Sequence, residues 1–358
     1  MSDVHTPRRE RLLAQASDRA VDALLVTRLV NVRYLTGFTG SNGALLLLPG
    51  AAVLATDGRY ATQASEQASD FDLLVDRDLM SSLIRRASEA RVQRLGFEDY
   101  DVTVARHALM SQRADGIALV PIGQAVEALR AVKDESELGL LAAACGIGDV
   151  AFAAVLADVR PGRTEREIAH ALEDHMRRLG ADGPSFETIV ASGPNSAIPH
   201  HTPTDRTVEQ GDFVKCDFGA LLDGYHSDMT RTVVVGSAAE WQREMYAVVA
   251  AAQQAGRDAV RPGISCRDVD ARARAIVDSS DFSGRFVHPL GHGVGLEIHE
   301  QPTLIATATD TLAERMPVTI EPGIYLPGRG GVRIEDTVVV RPDGAEVLTA
   351  TTRELLEL

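Results

Sequence analysis

Cysteine and long apolar runs are both scarce in this sequence, and each shortage argues against a class of protein. The three cysteines, Cys145, Cys216 and Cys266, are odd in number and far apart, so neither a disulfide framework nor a thiolate metal site is expected. The N-terminal segment MSDVHTPRRERLLAQAS lacks the apolar core of a signal peptide, and we expect no apolar run to span a membrane. A cytoplasmic protein with reduced, buried thiols and no membrane partner is predicted.

Basic residues are outnumbered, with 36 of them against 51 acidic residues and a formal net charge of −15. Such a surface repels the phosphates of nucleic acids and the headgroups of anionic lipids, so neither is expected as a partner. The rest of the composition, 45% apolar and 24% charged, is that of an ordinary globular protein. A length of 358 residues fits two domains, one of them small.

The first third of the chain alternates short apolar runs with helix-compatible stretches, which indicates strands joined by helices. The runs are DALLVT, GALLLLP, AAVLAT, RLGFE and GIALVP. A charged, proline-free stretch then predicts a connecting helix followed by a long amphipathic one. We expect an α/β protein of two domains, with the boundary near residues 122–134, and assign residues 1–126 to the N-terminal domain and residues 127–358 to the C-terminal domain.

The C-terminal part contains a weak internal repeat. RPGRTERE at residues 160–167 recurs as RPGISCRD at residues 261–268. In each copy the Thr or Ser can cap a helix, and the acid three residues later can support the exposed amides of that helix. Further along, VKCDFG and HSDMTRTVVV in the first copy correspond to VTIEPG and VRIEDTVVV in the second. The sequence therefore predicts two similar halves that each supply two carboxylates.

A two-residue hairpin turn at Asp223-Gly224 would bring Asp217 and Asp228 to the same face of a β-ribbon. In this register Asp217 lies opposite Thr230 and diagonal to Asp228. Their side chains then project together, at a separation that two oxygen-liganded cations can bridge. Cys216 points to the opposite face, into the core.

Three further residues complete a candidate metal site. Alternation within GVRIEDTV places Glu335 on a polar face together with Arg333. Glu321 ends an apolar strand, where a Pro-Gly turn presents it. His292 lies between glycines that leave its ring accessible, so it is the natural nitrogen ligand.

Four carboxylates in one cavity repel each other unless cations compensate them, and two divalent ions balance four negative charges. Oxygen ligands with one imidazole suit Mn²⁺, Co²⁺, Fe²⁺ or Zn²⁺. Manganese is our first choice. Arg333 is expected either to orient a ligating carboxylate or to bind substrate, although an ordinary salt bridge within the sheet would also explain it.

These residues resemble the pita-bread metallopeptidases, in the branch of Xaa-Pro aminopeptidases (aminopeptidase P) and Xaa-Pro dipeptidases (prolidases). The resemblance covers nearly the whole chain and is carried by PSFETIVASGPNSAIPHHTPTDR, GDFVKCDFGALLDGYHSDMTRT, HPLGHGVGLEIHE, TIEPGIYLPG and GVRIEDTVVV. It implies a small creatinase-like α/β domain followed by a pita-bread catalytic domain of two pseudo-symmetric halves. It also implies a homodimer, and two ions held by five ligands: Asp217, Asp228, His292, Glu321 and Glu335.

The resemblance assigns further roles around this site. His200, His288 and His299 fall where the family keeps histidines that contact substrate or stabilise the reacting carbonyl, and Phe186 falls at a position that lines the proline pocket. A neutral histidine can donate a hydrogen bond to a developing oxyanion, which suits His299, or pass a proton to the leaving nitrogen, which suits His200. A structural role for His200 stays open, and Gln301 departs from the family pattern, which puts substrate preference in doubt.

The expected reaction is hydrolysis of the peptide bond before a proline in second position, with Glu321 managing the proton of the attacking water. A methionine-aminopeptidase-like enzyme is the nearest alternative, and GVRIED and the additional N-terminal domain disfavour it. A metal-free peptide-binding relative, or a creatinase-like enzyme, would have lost ligand carboxylates, and none of the five ligands is missing. The sequence does not separate aminopeptidase P from prolidase, nor does it give the native metal, the longest accepted peptide or the preferred residue before proline.

Overall fold

The structure is a computed structural model that describes residues 4–358. The chain divides into two compact units, Met1–Arg130 and Ala131–Leu358. The two-domain α/β organisation expected from the sequence is confirmed.

Strands and helices alternate through the N-terminal unit. In chain order they are α1 (His5–Ser17), β1 (Ala23–Val26), α2 (Leu29–Thr36), β2 (Gly43–Leu48), β3 (Ala51–Thr56), α3 (Ala61–Gln67), β4 (Asp72–Val75), α4 (Leu79–Glu89), β5 (Arg94–Phe97), α5 (Val104–Arg113), β6 (Ala118–Pro121) and α6 (Ala125–Ala131). Within the described part of this unit the strands form one mixed sheet in the order β4-β3-β2-β1-β5-β6. The pairs β1–β2 and β2–β3 are antiparallel, and the pairs β1–β5, β3–β4 and β5–β6 are parallel.

The five apolar runs of the sequence all form strands of this sheet, and β4 is the strand that the pattern missed. It lies at an edge of the sheet and pairs only with β3 among the described strands. Leu73 and Val75 remain 36% and 50% exposed. A short edge strand with so little burial carries no clear apolar signal, because one side of it has no strand to pack beside.

The C-terminal unit opens with two helices and continues as strands interrupted by a second pair of helices. In chain order its elements are α7 (Glu135–Val155), α8 (Glu165–Arg178), β7 (Gly183–Pro184), β8 (Ile189–Ser192), β9 (Phe213–Phe218), β10 (Ala220–Leu222), β11 (Tyr225–His226), β12 (Met229–Val234), α9 (Glu240–Ala259), α10 (Cys266–Asp278), β13 (Gly291–Gly293), β14 (Glu300–Leu304), β15 (Pro317–Ile320), β16 (Gly323–Leu326), β17 (Gly330–Arg333), β18 (Asp336–Arg341) and β19 (Gly344–Val347). Short 3₁₀ turns follow α7 and β8.

Each half of this unit packs one helix pair against its own sheet. The core of the first half lies between α7, α8 and the sheet β12-β9-β8. The core of the second half lies between α9, α10 and the sheet β14-β13-β15-β18-β19. The predicted pseudo-symmetry of two α/β halves is confirmed.

The internal repeat is also visible in matching hydrogen bonds at the start of α8 and α10. Thr164 caps α8 and Ser265 caps α10, each by accepting the N–H three residues later. Thr164 forms an isolated antiparallel bridge with Thr207, and Ser265 forms one with Thr311. Since both the caps and the bridges recur, the repeat is a real structural duplication and does not reflect chance similarity of helix starts.

One helix corrects the expectation that no apolar run could span a membrane. Among the described residues, Glu135–Asp158 is long and apolar enough to do so by length and composition alone. In this structure, however, Leu141, Ala144 and Phe152 are buried within the C-terminal unit. Asp149 accepts a hydrogen bond from the backbone N–H of Ala350 at 2.8 Å. These contacts are typical of the core helix of a folded domain.

Candidate metal centre

Asp217 lies on β9 and Asp228 directly precedes β12, and the turn at Asp223-Gly224 sets the register of this ribbon. The φ angles of the two turn residues are 49° and 80°, which is the left-handed conformation of a two-residue hairpin turn. Asp217 pairs with Thr230, as the hairpin turn predicted. Cys216 is buried in the core on the opposite face. The two aspartates therefore project from one face of the ribbon.

The second half contributes three side chains from strands and strand ends. His292 is the central residue of β13, Glu321 directly follows β15, and Glu335 lies between β17 and β18. The backbone N–H of Glu335 donates to the carbonyl of Thr230 at 3.1 Å, and its Oε2 accepts the Thr230 hydroxyl at 2.7 Å. These two bonds fix the second half against the ribbon that carries Asp217.

The ligand atoms of Asp228, His292 and Glu335 all lie within 4.8 Å of one another. His292 Nε2 is also 3.4 Å from Glu321 Oε1. Asp217 Oδ1 and Glu335 Oε1 are buried without a hydrogen-bond partner, which is costly for a carboxylate unless a cation binds it. The chemistry of these donors and the two unpaired oxygens fit a centre for divalent cations.

Repulsion within this cluster is reflected in the pKa values of its acids. Burial, followed by the charges of Asp217 and Glu321, raises the pKa of Asp228 well above its usual range. Burial, followed by the charge of Asp228, does the same to the pKa of Glu335. Burial raises the pKa of Glu321 to about 8. Bound cations would favour the ionised forms of these groups.

These raised pKa values predict that the metal-depleted protein loses stability as the pH rises from about 6.5 to about 8. In this window folded Glu321 retains a proton that an unfolded chain has already lost. Unfolding therefore releases a proton. Each proton released lowers the free energy of unfolding by about 1.4 kcal/mol per pH unit. His292, whose pKa burial lowers to about 4, stays neutral in the folded state and adds little to this slope. Urea unfolding in the presence of a chelator measures the effect.

Two controls accompany this measurement. Saturating Mn²⁺ should abolish the decline, because the ions hold the carboxylates in their ionised form. Glu321→Gln should make the decline shallower. A metal-depleted protein whose stability does not change across this window would show that the acids do not share one buried site.

The ring of His292 is oriented as a ligand. Its Nδ1 lies 3.0 Å from the carbonyl oxygen of Gly293, so a proton on Nδ1 donates to that carbonyl. This tautomer leaves the Nε2 lone pair directed at the carboxylates, with Asp228 Oδ2 at 3.5 Å. A neutral imidazole fixed by its other nitrogen is the common form of a metal-binding histidine.

Arg333 is only 2% exposed, and its guanidinium donates hydrogen bonds to other residues of the protein. Its Nη2 donates to Asp217 Oδ2, its Nε donates to the Thr230 hydroxyl at 3.0 Å, and its Nη1 donates to the Tyr325 hydroxyl at 2.8 Å. Nη1 also donates to the carbonyl of Pro199 at 3.2 Å. Of its two expected roles, this geometry favours orientation of a carboxylate over substrate binding.

His288 lies beside the site with both ring nitrogens engaged. Its Nδ1 lies 2.8 Å from the carbonyl oxygen of Pro289, and its Nε2 lies 2.8 Å from the Tyr325 hydroxyl. Burial, followed by the charge of Arg333, lowers the pKa of His288 to about 3. The ring is thus neutral, and it continues the hydrogen-bond chain that begins at Arg333.

His200 and His299 are both exposed near the cluster. The rings of His299 and His292 are 4.5 Å apart between centroids and nearly perpendicular. Burial, followed by the charge of Arg333, lowers the pKa of His200. The neighbouring His201 is buried, and its Nε2 lies 2.8 Å from Glu165 Oε2, so its role is structural.

Phe186 is partly exposed in the segment between β7 and β8. It lies next to Ser185, whose hydroxyl is 3.0 Å from His226 Nδ1. The assignment of Phe186 to a proline pocket stays a prediction.

Sequence reasoning missed three side chains that support the cluster. They are Tyr325, which links Arg333 to His288, and the two threonines that hydrogen-bond to acids, Thr230 and Thr319. Alternation along β12 and β15 could have identified the threonines, because each lies two residues from a candidate ligand on the same face. Nothing in the local sequence indicates the role of Tyr325.

Two similar α/β halves that bring carboxylates and an imidazole together around one buried centre define a metallohydrolase. Residues 139–342 match metallopeptidase family M24, and residues 8–132 match the creatinase/prolidase N-terminal domain. The chain belongs to metallopeptidase family M24. Membership implies dependence on divalent metal ions, and it confirms the family and the fold expected from the sequence.

Relatives named as Xaa-Pro peptidases align with nearly the whole of this chain. An Xaa-Pro dipeptidase of Pyrococcus furiosus is 36% identical over 98% of this chain and 99% of its own length. The structure of an Xaa-Pro dipeptidase from Bacillus anthracis is 38% identical, with a TM-score of 0.95 and coverage of 99% and 100% of the two chains. An X-Pro aminopeptidase from Thermotoga maritima is 34% identical, with a TM-score of 0.91 and coverage of 98% and 99%.

Proposed function

We propose that this protein hydrolyses the peptide bond before a proline in second position, as an Xaa-Pro peptidase of the prolidase or aminopeptidase P type. The observation that carries the proposal is the convergence of Asp228, His292 and Glu335 within 4.8 Å. It occurs in a chain that aligns over nearly its full length with enzymes named for this activity. The match of residues 8–132 to the creatinase/prolidase N-terminal domain favours this branch over a methionine-aminopeptidase-like enzyme.

The proposed centre holds two divalent ions through Asp217, Asp228, His292, Glu321 and Glu335. Manganese is the first candidate, and Co²⁺, Zn²⁺ and Fe²⁺ are the alternatives, because oxygen donors with one imidazole accept all four. We also infer a homodimer in the cytoplasm, with peptides and neither nucleic acid nor membrane as partners, in keeping with the net charge of −15.

Divalent ions held at this centre would supply Lewis acidity and would lower the pKa of a bound water towards neutrality. Glu321, whose carboxylate accepts a hydrogen bond from Thr319 at 3.1 Å, takes the proton of the attacking water and releases it again for transfer to the leaving nitrogen. His299 donates a hydrogen bond to the carbonyl oxygen as negative charge develops there. His200 passes a proton to the leaving nitrogen, and Arg333 keeps Asp217 in place.

A peptide panel tests the proposal. Metal-depleted protein is incubated with Ala-Pro, Ala-Pro-Ala and Ala-Ala-Ala, with and without Mn²⁺, and the products are identified by mass spectrometry. We expect Mn²⁺-dependent cleavage before proline only. Cleavage of the dipeptide alone would identify a prolidase, and cleavage of the tripeptide would identify an aminopeptidase P. No metal-dependent cleavage of either proline peptide would refute the proposed specificity.

A further inference from the structure

Lysine is almost absent from this protein, since only Lys133 and Lys215 are lysines among 36 basic residues. Both are buried, with exposed fractions of 1% and 0%. The basic part of the surface is therefore built from arginine alone, and the two lysines do not serve solubility. A compact ammonium with three donors on a flexible stem fits sites that a planar guanidinium does not. Their placement points to a specific use.

Lys215 holds the backbone that leads into His200. It lies on β9, two residues before Asp217 and on the same face of that strand. Its ammonium donates to the carbonyls of Ile198 at 2.6 Å and Pro199 at 3.2 Å. These two residues directly precede His200, which is exposed. The buried Nζ of Lys215 thus anchors the backbone of a surface segment, and the next side chain in that segment is His200.

Lys133 has the corresponding relation to His299. Its ammonium donates to Glu300 Oε2 at 2.7 Å, and the other oxygen of Glu300 accepts the N–H of Glu297 at 3.1 Å. A Cβ added to Gly295 would lie 2.8 Å from both the carboxylate and Lys133 Cε. The loop is therefore folded tightly around this ion pair, and His299 is the residue before Glu300 in the chain.

We propose that Lys133 and Lys215 are positioning residues for catalysis, Lys215 acting on His200 and Lys133 acting on His299 through Glu300. This proposal rests on the proposed function, which assigns the two histidines to the reacting bond. Both histidines are exposed, so the positions of their rings depend on the buried residues that hold the adjoining backbone. A displacement of about 1 Å at a catalytic group can cost about 100-fold in rate.

Double-mutant cycles on the full-length, Mn²⁺-loaded enzyme test this pairing. Lys215→Met and Lys133→Met should each lower kcat for the proline peptide about tenfold in the parent background. Lys215→Met should then lower kcat less than about twofold in the His200→Ala background but about tenfold in the His299→Ala background. Lys133→Met should lower kcat less than about twofold in the His299→Ala background but about tenfold in the His200→Ala background. If the lysines only stabilised the fold, each substitution would lower the fraction of active enzyme, and hence the apparent kcat, by the same factor in every background. That result would overturn the proposal.

Hydrogen–deuterium exchange provides a second test that does not depend on catalysis. Lys215→Met should raise exchange in residues 198–203 and leave residues 294–300 unchanged, and Lys133→Met should do the opposite. Lys133→Met/Glu300→Gln is measured in parallel, because it avoids an unpaired buried carboxylate if the single variant fails to fold. Exchange that is unchanged, or raised equally in both segments, would overturn the proposal. If the parent enzyme cleaves no proline peptide, the proposed function fails, and exchange alone decides the positioning role.

Discussion

An Asp228→Asn variant is expected to lose its bound metal together with about 1,000-fold or more of kcat. Asp228 is 5% exposed, and its carboxylate faces His292 and Glu335 within the ligand cluster. An amide of the same size removes the negative charge and turns one ligand oxygen into a hydrogen-bond donor. The amount of metal bound per chain, measured by inductively coupled plasma mass spectrometry, should fall together with kcat for a proline peptide.

The metal-depleted variant should be no less stable than the metal-depleted parent, because one acid has been removed from a repelling cluster. Asp223→Asn is the matched control. It makes the same substitution on the same ribbon, at an exposed turn residue with a φ of 49°, a conformation that asparagine tolerates well. This control should keep full metal and activity. If the Asp228→Asn variant also kept its metal and its activity, Asp228 would not be a ligand of the site.

An Arg333→Met variant should lose about 100-fold in kcat and about 3–5 kcal/mol of stability. The guanidinium bridges Asp217, Thr230 and Tyr325. Methionine fills much of the volume but leaves Asp217 without the cation that orients it. Lysine should not restore activity, because a single ammonium cannot reproduce the several directed bonds of the guanidinium. Chemical denaturation and steady-state kinetics measure the two effects.

Arg329→Met is the control for this prediction. Arg329 is exposed in the turn between β16 and β17, and its guanidinium lies 4.2 Å from the centre of the Trp241 ring. Losing this contact should cost less than about 1 kcal/mol and leave kcat unchanged. Equal losses in both variants would mean that the hairpin as a whole, and not the buried contacts of Arg333, supports activity.

The features that the sequence predicted correctly depend on short-range rules. Asp217 and Asp228 share a face because turn chemistry at Asp223-Gly224 and the period of two along a strand fix the register locally. The two helix starts at Thr164 and Ser265 were predicted for the same reason, since a cap involves only the residues that follow it.

The features that the sequence did not reveal depend on contacts between distant segments. The chain of hydrogen bonds from Arg333 through Tyr325 to His288 joins residues of β16, β17 and the segment before β13. Strand alternation assigned Arg333 to a polar face, but it could not choose between the site and an ordinary salt bridge. The anchoring of His200 by Lys215 likewise joins two segments that share no local pattern.

The central claim is that Asp217, Asp228, His292, Glu321 and Glu335 together hold two divalent ions. Anomalous X-ray diffraction from crystals of the Mn²⁺-loaded protein, recorded on both sides of the manganese absorption edge, tests it most directly. We predict two manganese peaks among these five side chains. A single peak, or manganese bound elsewhere with these carboxylates left unliganded, would contradict the account.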